Sequence, residues 1–323
     1  MHTLKLQKIM VQYWHGILNT VSNAAEFLKA TTPGDDTPVV NPPDDTPVVN
    51  PPVVNPPIVA NPVTQTIDLG KATVTLDKTT YTYDGETKVP AVIVALEGKT
   101  LKASKDYIIT YANTTNAGRA SVTIMGTGDY TGTIVKEYTI EQHSNAIKVT
   151  TEYTKTASTK TQEITLGAKA TGGQLNYKSD NSKVTVSSNG KVTITANFSG
   201  KAVITVTAGD TNYKTVSLKV TIIVNPAKVK LSTVKNSKSG KLTVEWQKND
   251  NVTGYEVQYS TTKSFADKTT NSIIVSSYQS VSKTISKLTG NKTYYVRVRT
   301  YTTQSTTKYY SAWSNVKSVK VKK

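Results

Sequence analysis

Histidine occurs only at His2, His15 and His143, far apart in sequence, and cysteine does not occur at all. A Ser-His-Asp triad, a multi-histidine metal site, a thiol nucleophile and a disulfide framework therefore have almost nothing to draw on. Carboxylates do come in pairs. Asp35-Asp36 and Asp44-Asp45 sit in a proline-rich stretch that offers no pocket to position or desolvate them. Asp84 and Glu86 flank Gly85, and Asp129 lies in a glycine-rich segment. Glycoside hydrolysis needs two carboxylates fixed across a cleft, whereas turn chemistry explains these acids. No EF-hand pattern is present. The sequence predicts no catalytic residue, no metal and no cofactor, hence a non-enzymatic chain.

The chemistry that remains is charge and aromatic surface. The chain carries 39 basic and 22 acidic residues, a net charge of +17. The charge is uneven: −2 over residues 1–63, −1 over 64–142, +6 over 143–226 and +14 over 227–323. A polycationic segment attracts polyanions with strong salt dependence. Aromatic and basic residues interleave at Tyr294-Tyr295-Val296-Arg297-Val298-Arg299 and at Lys308-Tyr309-Tyr310-Ser311-Ala312-Trp313. Strand alternation puts Tyr295, Arg297 and Arg299 on one outward face. With Tyr309, Tyr310 and Trp313 they make a candidate glycan or polyanion surface. Against this stands a plainer reading: lysines are spread along the block and protect strand edges from aggregation. Trp246 and Tyr294 read as core.

These residues are positioned by three kinds of segment. Apolar residues at Leu6, Ile9, Met10, Tyr13, Trp14, Ile17, Leu18, Val21, Ala24, Ala25 and Leu28 predict one amphipathic helix within residues 1–32. Such a stripe cannot be buried alone. Three readings compete: the last helix of an upstream domain, a membrane-surface or self-association helix, and an export segment. The polar face lacks the Lys/Arg enrichment of a membrane-surface helix, and Gln12, His15 and Asn19 interrupt an apolar export core. The first is therefore preferred, and the chain reads as a fragment or a start-shifted frame. Next, ten of the twelve prolines fall between Pro33 and Pro62, where Asp35–Pro43 repeats as Asp44–Pro52. Residues 33–63 are expected to be a polyproline II linker, reaching roughly 90 Å at ~3.1 Å per residue.

From about Val63 the period becomes two. Val216, Leu218, Val220, Ile222 and Val224 alternate with polar neighbours, as do Leu242, Val244 and Trp246, and Tyr294, Val296 and Val298. Asn189-Gly190 between two Val/Thr/Ile runs predicts a hairpin. Many short strands with frequent turns predict antiparallel sandwiches. Breaks at Gln142–Asn145 and Asn225-Pro226 divide the remainder into 64–142, 143–226 and 227–323. No run of residues is apolar enough for a transmembrane helix.

The third block resembles a fibronectin type III domain, in Leu242-Thr243-Val244-Glu245-Trp246, Gly254-Tyr255-Glu256-Val257-Gln258-Tyr259 and Leu288-Thr289-Gly290-Asn291-Lys292-Thr293-Tyr294. Gly290 stands where that family usually has Pro, and there is no Arg-Gly-Asp. The second block resembles bacterial group 2 Ig-like domains, in Thr171–Tyr177 and Val186–Ile194. The first resembles repeats of Gram-positive surface proteins, in Tyr81-Thr82-Tyr83-Asp84-Gly85 and Gly126–Gly132. The resemblance implies a mainly β, bacterial, extracellular or cell-surface modular protein acting as spacer, stalk or adhesion module. Its partners would be a cell-wall or extracellular polysaccharide, a polyanion or a host surface protein, with no specific nucleic acid. The alternative is a carbohydrate-binding accessory region of a secreted polysaccharide-degrading enzyme whose catalytic domain lies outside this chain.

Overall fold

The computed structural model describes residues 66–323. The expected helix of 1–32 and linker of 33–63 lie outside the described residues. Within them the fold is mainly β, and the only helical pieces are two 3-10 turns, Leu69–Lys71 and Asp267–Thr269. The described residues form one compact unit.

Three successive pairs of sheets make up most of this unit, with two further two-stranded pairings, Ile67–Asp68 with Tyr130–Thr131 and Ile147–Lys148 with Lys169–Ala170. In the first, Thr80–Thr82, Thr133–Glu141, Gly118–Gly126 and Tyr107–Ala112 form one sheet, and Thr73–Leu76, Val92–Leu96 and Lys99–Thr100 the other. Leu69, Val94, Leu96, Val122 and Ile124 are buried in their shared core. In the second, Glu152–Thr156, Val216–Asn225, Gly200–Gly209 and Gln174–Ser179 face Gln162–Thr165, Lys191–Ile194 and Val184–Val186. Val220, Ile222 and Val224 are fully buried there, with Leu218 packed against them. That is the alternation read from the sequence. Val184–Val186 and Lys191–Ile194 pair as the expected hairpin, and Gly190 takes φ +77° to close its turn.

The third pair sets Leu231–Lys238, Lys241–Trp246 and Ser282–Ile285 against Thr270–Val275, Gly254–Ser260, Thr293–Gln304 and Thr307–Tyr310. The last strand, Lys317–Lys320, also pairs with Thr293–Gln304. Leu242, Val244, Trp246, Tyr294, Val296 and Val298 all face the core. Trp246 packs 5.2 Å from Tyr255 between ring centroids. Tyr294 turns its hydroxyl back to accept the amide of Thr289 at 3.1 Å, pinning the loop that precedes its strand. Burial raises the Tyr255 phenol above its ordinary value; the hydroxyl accepts from Asn249 N and donates to Tyr278 O.

Most pairings are antiparallel, but in each of the first two pairs an early strand and the last strand meet in parallel. Thr80–Thr82 runs alongside Thr139–Glu141, and Glu152–Thr156 alongside Thr221–Asn225. Alternating hydrophobicity alone does not specify that pairing.

Candidate functional site

The outward-facing residues of strand Thr293–Gln304 were the first candidate surface. Tyr295, Arg297 and Arg299 do alternate with buried Tyr294, Val296, Val298 and Thr300, and each is half-buried. The structure gathers four of the six candidates into a stack. The Arg297 guanidinium lies 4.1 Å from the Phe265 ring and 4.2 Å from Trp313. Arg299 lies 4.4 Å from Trp313 and 3.9 Å from Tyr310. Cation–π contacts at partly desolvated positions are each worth about 0.5–2 kcal/mol.

The next strand completes the stack. Gln258 and Glu256 stand directly opposite Arg297 and Arg299. Gln258 Oε1 accepts from Arg297 Nε at 2.9 Å and Nη2 at 2.6 Å. Glu256 Oε2 pairs with Arg299 at 2.6 Å, and its side chain is only 9% exposed. Burial lowers the Arg297 guanidinium below its ordinary value; Arg299 adds to the shift and Glu256 opposes it. Both guanidinium groups are thus committed to rings and acceptors of the same sheet. Tyr295 and Tyr309 stay outside the stack, opposite Ser318 and Thr302. Phe265, Glu256 and Gln258 were not singled out from sequence. The last two alternate with Tyr255, Val257 and Tyr259, and their role becomes legible once the strand register is known.

A second group of residues joins one pair of sheets to the next. Between the first and second, Ala117 N donates to Asn212 Oδ1 at 2.8 Å, and Asn212 Nδ2 donates to Asn116 Oδ1 at 3.1 Å. Tyr83 meets Tyr213 edge to face at 5.5 Å. Gly172 lies so close beneath Tyr213 that a Cβ there would sit 2.3 Å from its ring. His143 is half-buried. Its backbone exchanges hydrogen bonds with Asn212 and Lys214, and its ring packs 5.7 Å from Tyr213. The polar segment 142–145 is therefore part of a packed contact.

Between the second and third pairs, Gln304 imitates a strand partner. Its Oε1 accepts from Lys201 N at 2.6 Å, and its Nε2 donates to Lys201 O at 3.0 Å. Ser199 and Thr302 hydroxyls meet at 2.6 Å. The connecting Ala227 carbonyl accepts from Thr300 Oγ1 at 2.9 Å. A half-open polar cleft of about 300 Å³ beside this contact is lined by Ser158, Asn197, Lys228, Gln247 and Asp250 among others. Asp84, by contrast, accepts from Glu86 N at 2.9 Å and Lys88 Nζ at 2.6 Å, as a turn carboxylate does. The Lys88 bond is the main cause that lowers its carboxyl below the ordinary value.

Two family models match parts of the chain. Residues 225–317 match the fibronectin type III domain, and residues 134–220 match the bacterial Ig-like domain of group 2. Both are modules generally without catalytic activity and typical of extracellular proteins. No curated protein matches the sequence. Among solved structures, the chain is similar to the FN1–FN3 domains of chicken CNTN1. That match has 14% identity and a TM-score of 0.27, over 77% of this chain and 97% of the other. It is also similar to domains A168–A170 of titin, with 13% identity and a TM-score of 0.26, over 77% and 99% of the two chains. A further match is the fn3 domain of human contactin 1, with 18% identity and a TM-score of 0.25, over 30% and 78%. No helix among the described residues is long and apolar enough to cross a membrane.

Proposed function

We propose that this chain is a non-catalytic extracellular spacer. Sandwiches at 64–142, 143–226 and 227–323 hold whatever lies at one end away from whatever lies at the other. One observation carries the reading: the two contacts of the middle sandwich sit at opposite ends of the same strand. Strand Gly200–Gly209 begins beside Gln304 and runs into the Asp210–Tyr213 turn that meets Asn116, Ala117 and Tyr83. Ten residues at ~3.3 Å each separate the two contacts by roughly 30 Å. Each contact fixes backbone groups on at least one side, which a freely swinging linker does not do. Partners, whether an anionic or neutral polysaccharide or a protein of another cell surface, are then met at the ends of the array. The aromatic–arginine stack braces the third sandwich from outside.

Absence of Cys makes the test clean. Spin labels on Lys183→Cys and Lys283→Cys, either side of the Gln304 contact, are expected to give one narrow distance distribution in the full chain. Gln304→Ala is expected to broaden it. A broad distribution in the otherwise unsubstituted protein would sink the proposal.

A further inference from the structure

The strand register brings four segments of the third sandwich to one end. Lys238 and Lys241 face each other across the turn that joins the first two strands. Lys287 and Lys292 lie in the loop that leads into strand Thr293–Gln304, and Lys320 stands opposite Thr293. Hydrogen bonds tie these segments together: Leu288 N to Gly240 O at 3.1 Å, Asn291 N to Val321 O at 2.8 Å, and Val321 N to Lys292 O at 2.9 Å. Lys322 and Lys323 follow directly. The loop between Gly254–Ser260 and Thr270–Val275 emerges at the same end and adds Lys263 and Lys268.

Nine of the sixteen lysines of residues 227–323 therefore gather here, with Asp267 as the single acid of these segments. All nine are exposed, and none is in an ion pair among the described residues. The opposite end, which meets the second sandwich, has Lys228, Lys230, Lys248 and Lys308, of which Lys248 pairs with Asp250 at 2.6 Å. Protection of strand edges does not account for the gathering. Six of the nine lie outside strands and the other three are strand-terminal residues. Lysines spread along the block in sequence thus converge in space, because the hairpin turns bring distant positions together.

We infer that this end of the third sandwich is a docking surface for a flexible phosphodiester polymer, a linear polyol-phosphate chain whose charge lies on its backbone. This goes beyond the spacer reading and does not depend on it. The residue types select the ligand. All nine cations are lysines, which act as point charges; the forked guanidinium that reads planar carboxylates or base edges in bidentate fashion is missing. Tyr295, half-buried opposite Ser260 and Ser318, is a lone ring at this end and makes no run of platforms for successive sugar rings or nucleobases. The Tyr294 hydroxyl is taken by Thr289, and Phe265 is buried against Arg297. Several lysines at ordinary loop spacing can each neutralise one phosphate of a bending chain.

The test is binding of the full chain to immobilised poly(glycerol phosphate). If about five phosphates are engaged, affinity falls about a hundredfold between roughly 50 mM and 200 mM salt. Lys238→Gln/Lys241→Gln/Lys287→Gln/Lys292→Gln should weaken binding by about tenfold or more. A charge-matched control, Lys219→Gln/Lys228→Gln/Lys230→Gln/Lys283→Gln, should change it by no more than about twofold. All eight side chains are exposed, so both variants should keep the unsubstituted melting curve. Equal losses in the two variants would show that net charge alone acts and would overturn the inference. Polygalacturonate or duplex DNA binding this end as tightly as the phosphate polymer would overturn the ligand assignment.

Discussion

The second and third sandwiches differ in how each fastens its first long strand to its last. In the second, Glu152–Thr156 and Thr221–Asn225 form a five-residue parallel ladder, extended by Thr221 N to Thr151 O and Ala157 N to Asn225 O, both at 2.8 Å. Beyond the short pairing of Ile147–Lys148 with Lys169–Ala170, the chain passes into the start of one of these strands and leaves at the end of the other. Tension along the chain slides the two past each other, so their hydrogen bonds are strained together. In the third, the first strand pairs only with its hairpin neighbour and the last only with Thr293–Gln304, both antiparallel. A side chain substitutes for the ladder: Asn315 Oδ1 accepts from Leu231 N at 3.1 Å, and its Nδ2 donates to Leu231 O at 3.3 Å. In the first sandwich the third strand, Thr80–Thr82, meets the last in parallel over three residues, while the first, Ile67–Asp68, pairs in parallel with Tyr130–Thr131. One architecture therefore comes with three strengths of terminal fastening. The most weakly fastened member is the one braced from outside by stacked arginines.

The comparison can be broken most sharply at Lys155. Alternation in a parallel ladder makes Tyr153 and Lys155 the donors between the two outer bonds. Lys155→Pro removes one donor and leaves its acceptor unmatched. It should destabilise the second sandwich by about 2–3 kcal/mol and lower its unfolding force, leaving the third unchanged by calorimetry. Trp313→Ala strips the middle ring from the stack and should destabilise the third sandwich by about 2 kcal/mol. At roughly 4–8 °C per kcal/mol, its melting temperature should fall by about 10 °C. A melting temperature unchanged by Trp313→Ala would show that the stack does not brace the domain, and would return Trp313 to the pool of ligand-binding candidates. Asn315→Ala is expected to act least, about 1 kcal/mol at equilibrium, but to lower the force at which the third sandwich opens.

Much of this fold was legible because burial in a sandwich follows a period of two. Val220, Ile222 and Val224, and Leu242, Val244 and Trp246, could be assigned to a core from their spacing alone. Asn189-Gly190 marked its hairpin because a glycine is needed at φ +77°. The candidate surface was partly legible. Alternation placed Arg297 and Arg299 outward, yet their partners Gln258 and Glu256 lie some forty residues away and meet them only through register. The contacts made by Asn212 and Gln304 were not legible. A polar residue at a turn or strand end looks the same whether it faces water or a neighbouring backbone. Nor was the lysine cluster, whose members are spread over 86 positions from Lys238 to Lys323 and converge only in three dimensions.

Pulling single molecules of the full chain by its two ends tests the central claim most directly. Three unfolding steps are expected. The event of highest force should be the one that Lys155→Pro weakens, and the lowest should be the one that Asn315→Ala weakens further. If Lys155→Pro left the highest-force event untouched, or if the third sandwich resisted longest, terminal fastening would not govern how this array bears tension.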